Sequence, residues 1–305
     1  METRGVATGL TVNERAYQAR VQEAAAGVYV DYPMRVGVET YAVCNAACDF
    51  CPYPTMERKG DRMDDATLAK ILDDLEEIPS EVEFGLNPSR VSEPLLDTRI
   101  FTFLEELNKR FSNAGIILFT NASALNGRNL DRVMALERYQ LFNVSFNDHR
   151  KAEYERVMQL DFDRTTRNLD RLHGAVQAAE FPVRPRISRV GDGTDADQGF
   201  CDWVRDRWPG FEPMVSPRMD WMGRVACSFS TLIPDVPCMQ WFTIQLLANG
   251  RDAFCCTDHD AAYGYGSIHE SSLLELYNHP ERRELRLQTP SRHGMTPCGT
   301  CPLLA

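Results

Sequence analysis

Apolar residues fall along this chain in two alternating rhythms. Leu68, Ile71, Leu72 and Leu75 stand at i, i+3, i+4 and i+7 behind a capping residue, Asp64, and predict a helix. Similar helical spacing recurs over 99–111, 128–137, 163–179 and 196–208. Between these lie short β-type runs at 34–40, 82–86, 116–120, 141–146, 183–190 and 213–219. Strands alternating with helices predict an α/β fold, because a parallel sheet with crossover helices is the economical way to bury both. Six such units make a partial or closed barrel, or a doubly wound sheet. An additional helix precedes them: Thr11 and Glu14 have capping-box spacing ahead of an alanine-rich run that reaches Ala26. Beyond Trp221 the rhythm changes to a hairpin, in which Asn249-Gly250 separates the apolar runs 243–247 and 253–255, and then to a helix near 271–286. The expected organisation is an N-terminal helical extension (1–33), an α/β barrel region (34–224) and a small C-terminal hairpin and helix domain (225–305).

Composition narrows the class. Of 305 residues 43% are hydrophobic, enough for a sizeable core, and acids outnumber bases 44 to 33. The net charge of −11, with no basic cluster, argues against a nucleic-acid partner and permits a cationic ligand. No run of about 18 apolar residues exists for a membrane span. The first residues, Met-Glu-Thr-Arg-Gly-Val, lack the apolar region of a secretory signal, so the expectation is a cytoplasmic protein. In a reducing compartment the ten cysteines point to metal or catalysis rather than to disulfides.

The cysteines form two constellations. Cys44, Cys48 and Cys51 directly follow the first predicted strand in C-x3-C-x2-C spacing. Three thiolates can hold one face of an iron–sulfur cluster and leave one iron open to a cofactor or substrate; part of a structural zinc site is the alternative. The second constellation comprises Cys238, the pair Cys255-Cys256, and Cys298-Gly-Thr-Cys301, which supply a four-thiolate set for zinc or a further cluster. Neighbouring cysteines on a strand point to opposite faces, so Cys255 and Cys256 are not expected to bind the same centre. Cys201, in a helical pattern, reads as a small core residue.

The first motif, with Phe50 just before its third cysteine, resembles that of the radical S-adenosylmethionine (SAM) superfamily. Val91-Ser92-Glu93-Pro94 resembles that superfamily's Gly-Gly-Glu-Pro segment, with Ser92 in place of a glycine. The resemblance implies a partial (β/α)6 TIM-like barrel, a SAM-binding [4Fe-4S] cluster on Cys44, Cys48 and Cys51, and cleavage of SAM to a 5′-deoxyadenosyl radical that abstracts hydrogen from carbon. It assigns SAM contacts to Phe50, Ser92 and Glu93, and to Asn121, Ser145, Asn147 and Arg186 at or along later strands. Tyr53, Pro54 and Met56 would form a lid. The C-terminal region resembles the superfamily's auxiliary-cluster domains, in the reduced one-cluster "twitch" form. Cys238, Cys255, Cys298 and Cys301 would hold an auxiliary [4Fe-4S] cluster, with Cys255 and Cys256 interchangeable in that role.

The free thiol then suggests a reaction. Returning hydrogen from Cys256 (or Cys255) to a substrate radical on the face opposite to abstraction would invert a stereocentre, and Cys227 is a weaker candidate donor. Size and layout resemble the small aminoglycoside-pathway members of the superfamily, which epimerise neomycin C or dehydrogenate 2-deoxy-scyllo-inosamine. The expected function is epimerisation of an aminoglycoside antibiotic, with Asp258 and Asp260 binding a cationic sugar and a flavodoxin or ferredoxin supplying electrons. The alternatives are oxidation of an aminosugar or aminocyclitol alcohol through the auxiliary cluster, peptide modification, and a non-enzymatic metal-binding protein.

Overall fold

A computed structural model of the chain describes residues 11–179, 181–227 and 233–304. The first ten residues of the N-terminal extension lie outside these. Helix α1 (Val12–Ala26) begins at the Thr11 cap, where Thr11 and Glu14 exchange the two hydrogen bonds of a capping box. Strand β1 (Arg35–Val38) is followed by the cysteine loop, then α2 (Asp65–Asp74), β2 (Phe84–Asn87), α3 (Ile100–Arg110), β3 (Ala114–Thr120), α4 (Gly127–Ala135) and β4 (Tyr139–Ser145). Two helices, α5 (Lys151–Met158) and α6 (Phe162–Ala178), lead to β5 (Arg186–Val190), α7 (Asp195–Arg207) and β6 (Glu212–Ser216). The hairpin is β7 (Thr243–Leu246) with β8 (Asp252–Ala253), and α8 (Leu273–Tyr277) and α9 (Pro280–Gln288) follow.

All eight strands form one sheet in the order β6-β5-β4-β3-β2-β1-β7-β8. Pairing is parallel except between β7 and β8, and β6 does not close onto β1, so the barrel is partial. Val36 and Val38 of β1, Leu86 of β2, Ile116 and Leu118 of β3 and Phe142 and Val144 of β4 pack into one core with the apolar stripes of the helices. The other face of β1 is crowded: a Cβ on Gly37 would lie 2.0 Å from Gln245 Oε1 and 3.3 Å from Arg90 Cδ, so a larger residue there would have to displace the Gln245 side chain.

Four details differ from the sequence reading. The helix expected over 271–286 is two, because Pro280 disfavours helical geometry at His279 and starts a new helix itself. Helix α5 was not anticipated. The alanine-rich α1 is integrated into the fold, since Tyr17, Val21 and Ala24 pack with Trp241, Phe242 and Phe254. Finally, β8 ends at Ala253, so Cys255 and Cys256 lie in a turn and not on a strand.

Candidate active site and second cysteine cavity

The loop after β1 leaves at the carboxyl end of the parallel strands, where α/β sites form. Its three thiols are close enough to raise one another's pKa. Burial is the larger cause, pushing Cys44 up to about 12 and Cys51 up to about 11, and Cys48 further. The loop is clamped from several sides. Ala47 N–H donates to Met158 O at 3.2 Å, and Cys48 Sγ lies 3.3 Å from Met158 Sδ. Glu93 N–H donates to Val43 O at 2.9 Å. Asn121 Nδ2 donates to Asn45 Oδ1 at 3.0 Å and lies 3.9 Å from Cys44 Sγ. Three soft donors within one clamped loop are the ligand type that an iron–sulfur centre takes.

Cys238, Cys255, Cys298 and Cys301 line one cavity, together with Trp241, Phe254, Arg292 and Met222. Distant segments contribute them, and tertiary packing brings them together. Cys256 is absent from that lining. Its carbonyl accepts from Arg90 Nη2 at 2.6 Å, and its thiol feels the charges of Arg90 and of Arg35 at the start of β1. Burial raises its pKa, with Cys255 as a smaller cause, which favours the S–H form. Cys255 thus lines the four-cysteine cavity and Cys256 does not, although the Cys256 thiol is close enough to Cys255, Cys238 and Cys301 to feel their charge.

At residues 238–302 the sequence matches the SPASM family, an iron-sulfur cluster-binding domain. Three solved structures share the fold. BtrN, in complex with AdoMet and 2-DOIA, is 14% identical with a TM-score of 0.55, covering 88% of this chain and 93% of its own. Streptococcus suis SuiB bound to precursor peptide SuiA is 12% identical with a TM-score of 0.66, covering 100% and 78%. The protein anSMEcpe with AdoMet and the Cp18Cys peptide is 15% identical with a TM-score of 0.60, covering 88% and 87%. The chain shares the radical SAM fold, and its residues 238–302 match the SPASM domain. No curated protein sequence matches it significantly.

Within the radical SAM fold, several polar residues expected to touch SAM are engaged elsewhere. Glu93 is buried and accepts from Thr120 Oγ1 (2.7 Å), Asn121 N–H (2.7 Å) and Leu95 N–H (3.1 Å); burial dominates and raises its pKa to about 7. Its side chain ties the segment after β2 to the end of β3. Asn121 also accepts from Ser123, so it orients the cysteine loop. Asn147, at a left-handed φ of 66°, donates to Met158 Sδ and accepts from Val190 N–H, which satisfies both ends of its amide. Arg186 is the first residue of β5, 3.3 Å from Glu212, and is not brought to the cysteine loop. Phe50 and Ser145 are partly exposed beside or above the sheet, and Ser92 Oγ accepts weakly from Arg90 N–H at 3.5 Å. Met56 of the expected lid is buried with Ala42, Val91 and Ala248.

The SPASM domain separates the two expected substrate acids. Asp258 is buried and accepts from the backbone N–H groups of Phe254, Ala262 and Tyr263 at 2.8–3.1 Å, so it shapes a turn and is not free to bind substrate. Asp260 has ion contacts with Arg58 at 3.7 Å and His259 at 3.2 Å but no aligned hydrogen bond, and both its carboxylate oxygens are buried. Cys227 Sγ contacts Arg218 O at 3.7 Å, and Cys201 packs on the main core.

Sequence reasoning missed the charged groups that join these parts. Glu39, fully buried past the end of β1, pairs with Arg58 through both guanidinium nitrogens and accepts from Val91 N–H and Ala248 N–H at 3.3 Å. Arg58 Nε donates to His259 O at 2.5 Å. A segment after β6 also covers the cysteine loop: Trp221 Nε1 donates to Phe50 O at 3.0 Å and Arg218 Nη2 to Asp49 O at 2.7 Å. Trp221, Met222 and Gly223 there are all left-handed. Such strain tends to persist where the surroundings hold it, and an arginine seven residues after a cysteine motif was the only local signal for any of this.

Proposed function

We propose that the chain is a radical SAM enzyme that abstracts hydrogen from a carbon of a cationic aminosugar and returns hydrogen from the Cys256 thiol, inverting that carbon. The observation that carries this reading is the separation of Cys255, in the four-cysteine cavity, from Cys256, outside it and near Arg90. Cys44, Cys48 and Cys51 would hold the [4Fe-4S] cluster that binds SAM, and Cys238, Cys255, Cys298 and Cys301 the auxiliary cluster. When bound, SAM and its cluster supply the radical that takes the substrate hydrogen. Cys256 then gives its sulfur-bound hydrogen atom to the substrate radical. The resulting sulfur radical is restored to a thiol by one electron and one proton, the electron coming from a low-potential donor such as flavodoxin or ferredoxin. Asp260 supports a substrate ammonium, and the acid excess of the chain suits a polycation.

A second reading is a dehydrogenase, in which the substrate radical loses an electron to the auxiliary cluster and a proton to the site, giving a ketone. The buried cation Arg292 on the wall of the four-cysteine cavity favours it. The likeness to peptide-bound structures supports only the fold. The test incubates the reconstituted enzyme anaerobically in D2O with SAM, dithionite and candidate aminoglycosides. Deuterium at an inverted carbon supports the epimerase, and loss of two mass units supports the dehydrogenase. Cys256→Ala should abolish turnover at unchanged iron content; loss of iron instead would show that Cys256 is a cluster ligand.

A further inference from the structure

Arg292 stands six residues before Cys298, and its guanidinium is fully buried. It donates from Nε to Val236 O at 3.0 Å, from Nη2 to Pro237 O at 3.1 Å, and from Nη1 to Leu303 O. These carbonyls satisfy its hydrogen bonds but not its charge. Among the described residues no carboxylate lies within ion-pair distance of it. Burying an uncompensated cation is costly, and proteins retain one where an anion pairs with it. Of the other fully buried arginines one has a carboxylate partner, and the other, with neutral partners only, is not on the wall of the four-cysteine cavity. Arg282 is bidentate to Asp252, and Arg286 stacks 3.7 Å above the Tyr277 ring and bonds the Asn278 amide. Arg292 has the Tyr17 ring at 5.8 Å and lines the cavity of Cys238, Cys255, Cys298 and Cys301.

We propose that Arg292 is the counter-cation of an iron–sulfur cluster held by these four cysteines, and that it raises the reduction potential of that cluster. The inference rests on the reading that the four thiols hold such a cluster. Four thiolates around a [4Fe-4S] core give a net negative charge that grows by one on reduction, so a fixed buried cation stabilises the reduced form more than the oxidised one. Trp241 acts in the same direction. It lines the same cavity, is 2% exposed, and its buried indole N–H has no hydrogen-bond partner among the described residues, which leaves it free to donate to a cluster there. Donors to cluster sulfur raise the potential as well. Arg292 is thus a positioning and tuning residue. It suits the cluster to accept an electron.

The experiment uses the full chain with Cys44, Cys48 and Cys51 replaced by alanine, so that only the second site can load, and follows iron content and an EPR-monitored redox titration. Without iron in that background the four-cysteine reading fails, and the proposal with it. With iron bound, Arg292→Gln should lower the reduced-to-oxidised ratio at a fixed poise on the order of tenfold, about 59 mV for one electron. Arg292→Lys should recover part of the loss, and Trp241→Phe should shift it the same way by less. A potential unchanged in Arg292→Gln overturns the proposal alone. Thermal unfolding of apo and loaded forms gives the second readout. Counter-charge predicts that Arg292→Gln destabilises the loaded protein and leaves the apo protein as stable as its parent, or more so. Equal destabilisation of both forms, or failure to fold without the cluster, assigns Arg292 to backbone bracing and overturns it.

Discussion

Removing Arg58 tests whether the barrel and the SPASM domain are joined electrostatically. In Arg58→Ala the Glu39 carboxylate, fully buried, keeps two backbone donors at 3.3 Å and loses its only cation. Breaking a buried pair from one side costs roughly 3–5 kcal/mol, because the remaining charge is neither solvated nor paired. The bond from Arg58 Nε to His259 O is lost too. At about 2–4 °C per kcal/mol for large domains, the unfolding midpoint of the apo protein should fall by about 10 °C. The assay is urea and thermal unfolding by circular dichroism under reducing, metal-free conditions. The double variant Glu39→Gln/Arg58→Met removes both charges at similar volume and should recover most of the loss, since replacing both members of a buried pair is often nearly neutral. A loss below about 1 kcal/mol in Arg58→Ala, or a double variant as unstable as the single one, would refute the reasoning.

Two further predictions concern the segments around the cysteine loop. Glu93 titrates near 7 in the fold and near the ordinary carboxyl value of 4.5 when unfolded. A raised carboxyl pKa means that the folded state holds the proton longer, so Glu93 favours folding below about pH 4.5 and that contribution is lost as pH rises towards 7. The apo protein should lose roughly 3 kcal/mol across this window at about 1.4 kcal/mol per unit, and Glu93→Gln should flatten that slope in denaturation midpoints taken at stepped pH; an unchanged slope would locate the titration elsewhere. Asn121→Ala removes the amide that bonds Asn45 and faces Cys44. It should lower iron bound at the first site several-fold while the second site loads normally, as measured by iron per chain in backgrounds lacking one cysteine set or the other. Normal loading of the first site would mean that the remaining clamps suffice.

Much of the fold was legible because its signals are local. The Thr11 cap, the Leu68–Leu75 stripe and Asn249-Gly250 are each decided by neighbours within a few residues, and the structure has α1, α2 and the β7–β8 hairpin there. Strand cores were legible from apolar β-type runs, and their ends were not, because pairing sets them. Thus β8 stops at Ala253, where the next backbone N–H, that of Phe254, donates to the Asp258 carboxylate instead of across to β7. Helix α5 escaped notice because only Tyr154 and Met158 of its eight residues are buried, too few for a recognisable stripe. The parallel pairing of β7 with β1 joins positions about 200 residues apart, and no periodicity announces it.

The site divides in the same way, and the division explains which assignments needed correction. Cys44, Cys48 and Cys51 are fixed by spacing within one loop, so chemistry and position coincide. Polar residues at strand ends carry no such constraint: an Asp or Asn there can serve a ligand or the backbone, and the choice depends on which N–H groups happen to lack partners. Asp258 meets three of them and is consumed; Asp260, two residues on, meets none and is left with the charge of Arg58. Asn147 and Glu93 are consumed likewise, as struts that hold Val190 and the end of β3. Charge pairing is harder still to foresee, because Glu39, Arg58 and Arg292 find or lack their partners only after tertiary packing. A buried charge must be compensated wherever the chain puts it. The Glu39–Arg58 pair therefore ties the segments after β1 to Ala248 and His259, and Arg292, compensated by no described carboxylate, is the point where the protein's own charges leave room for another.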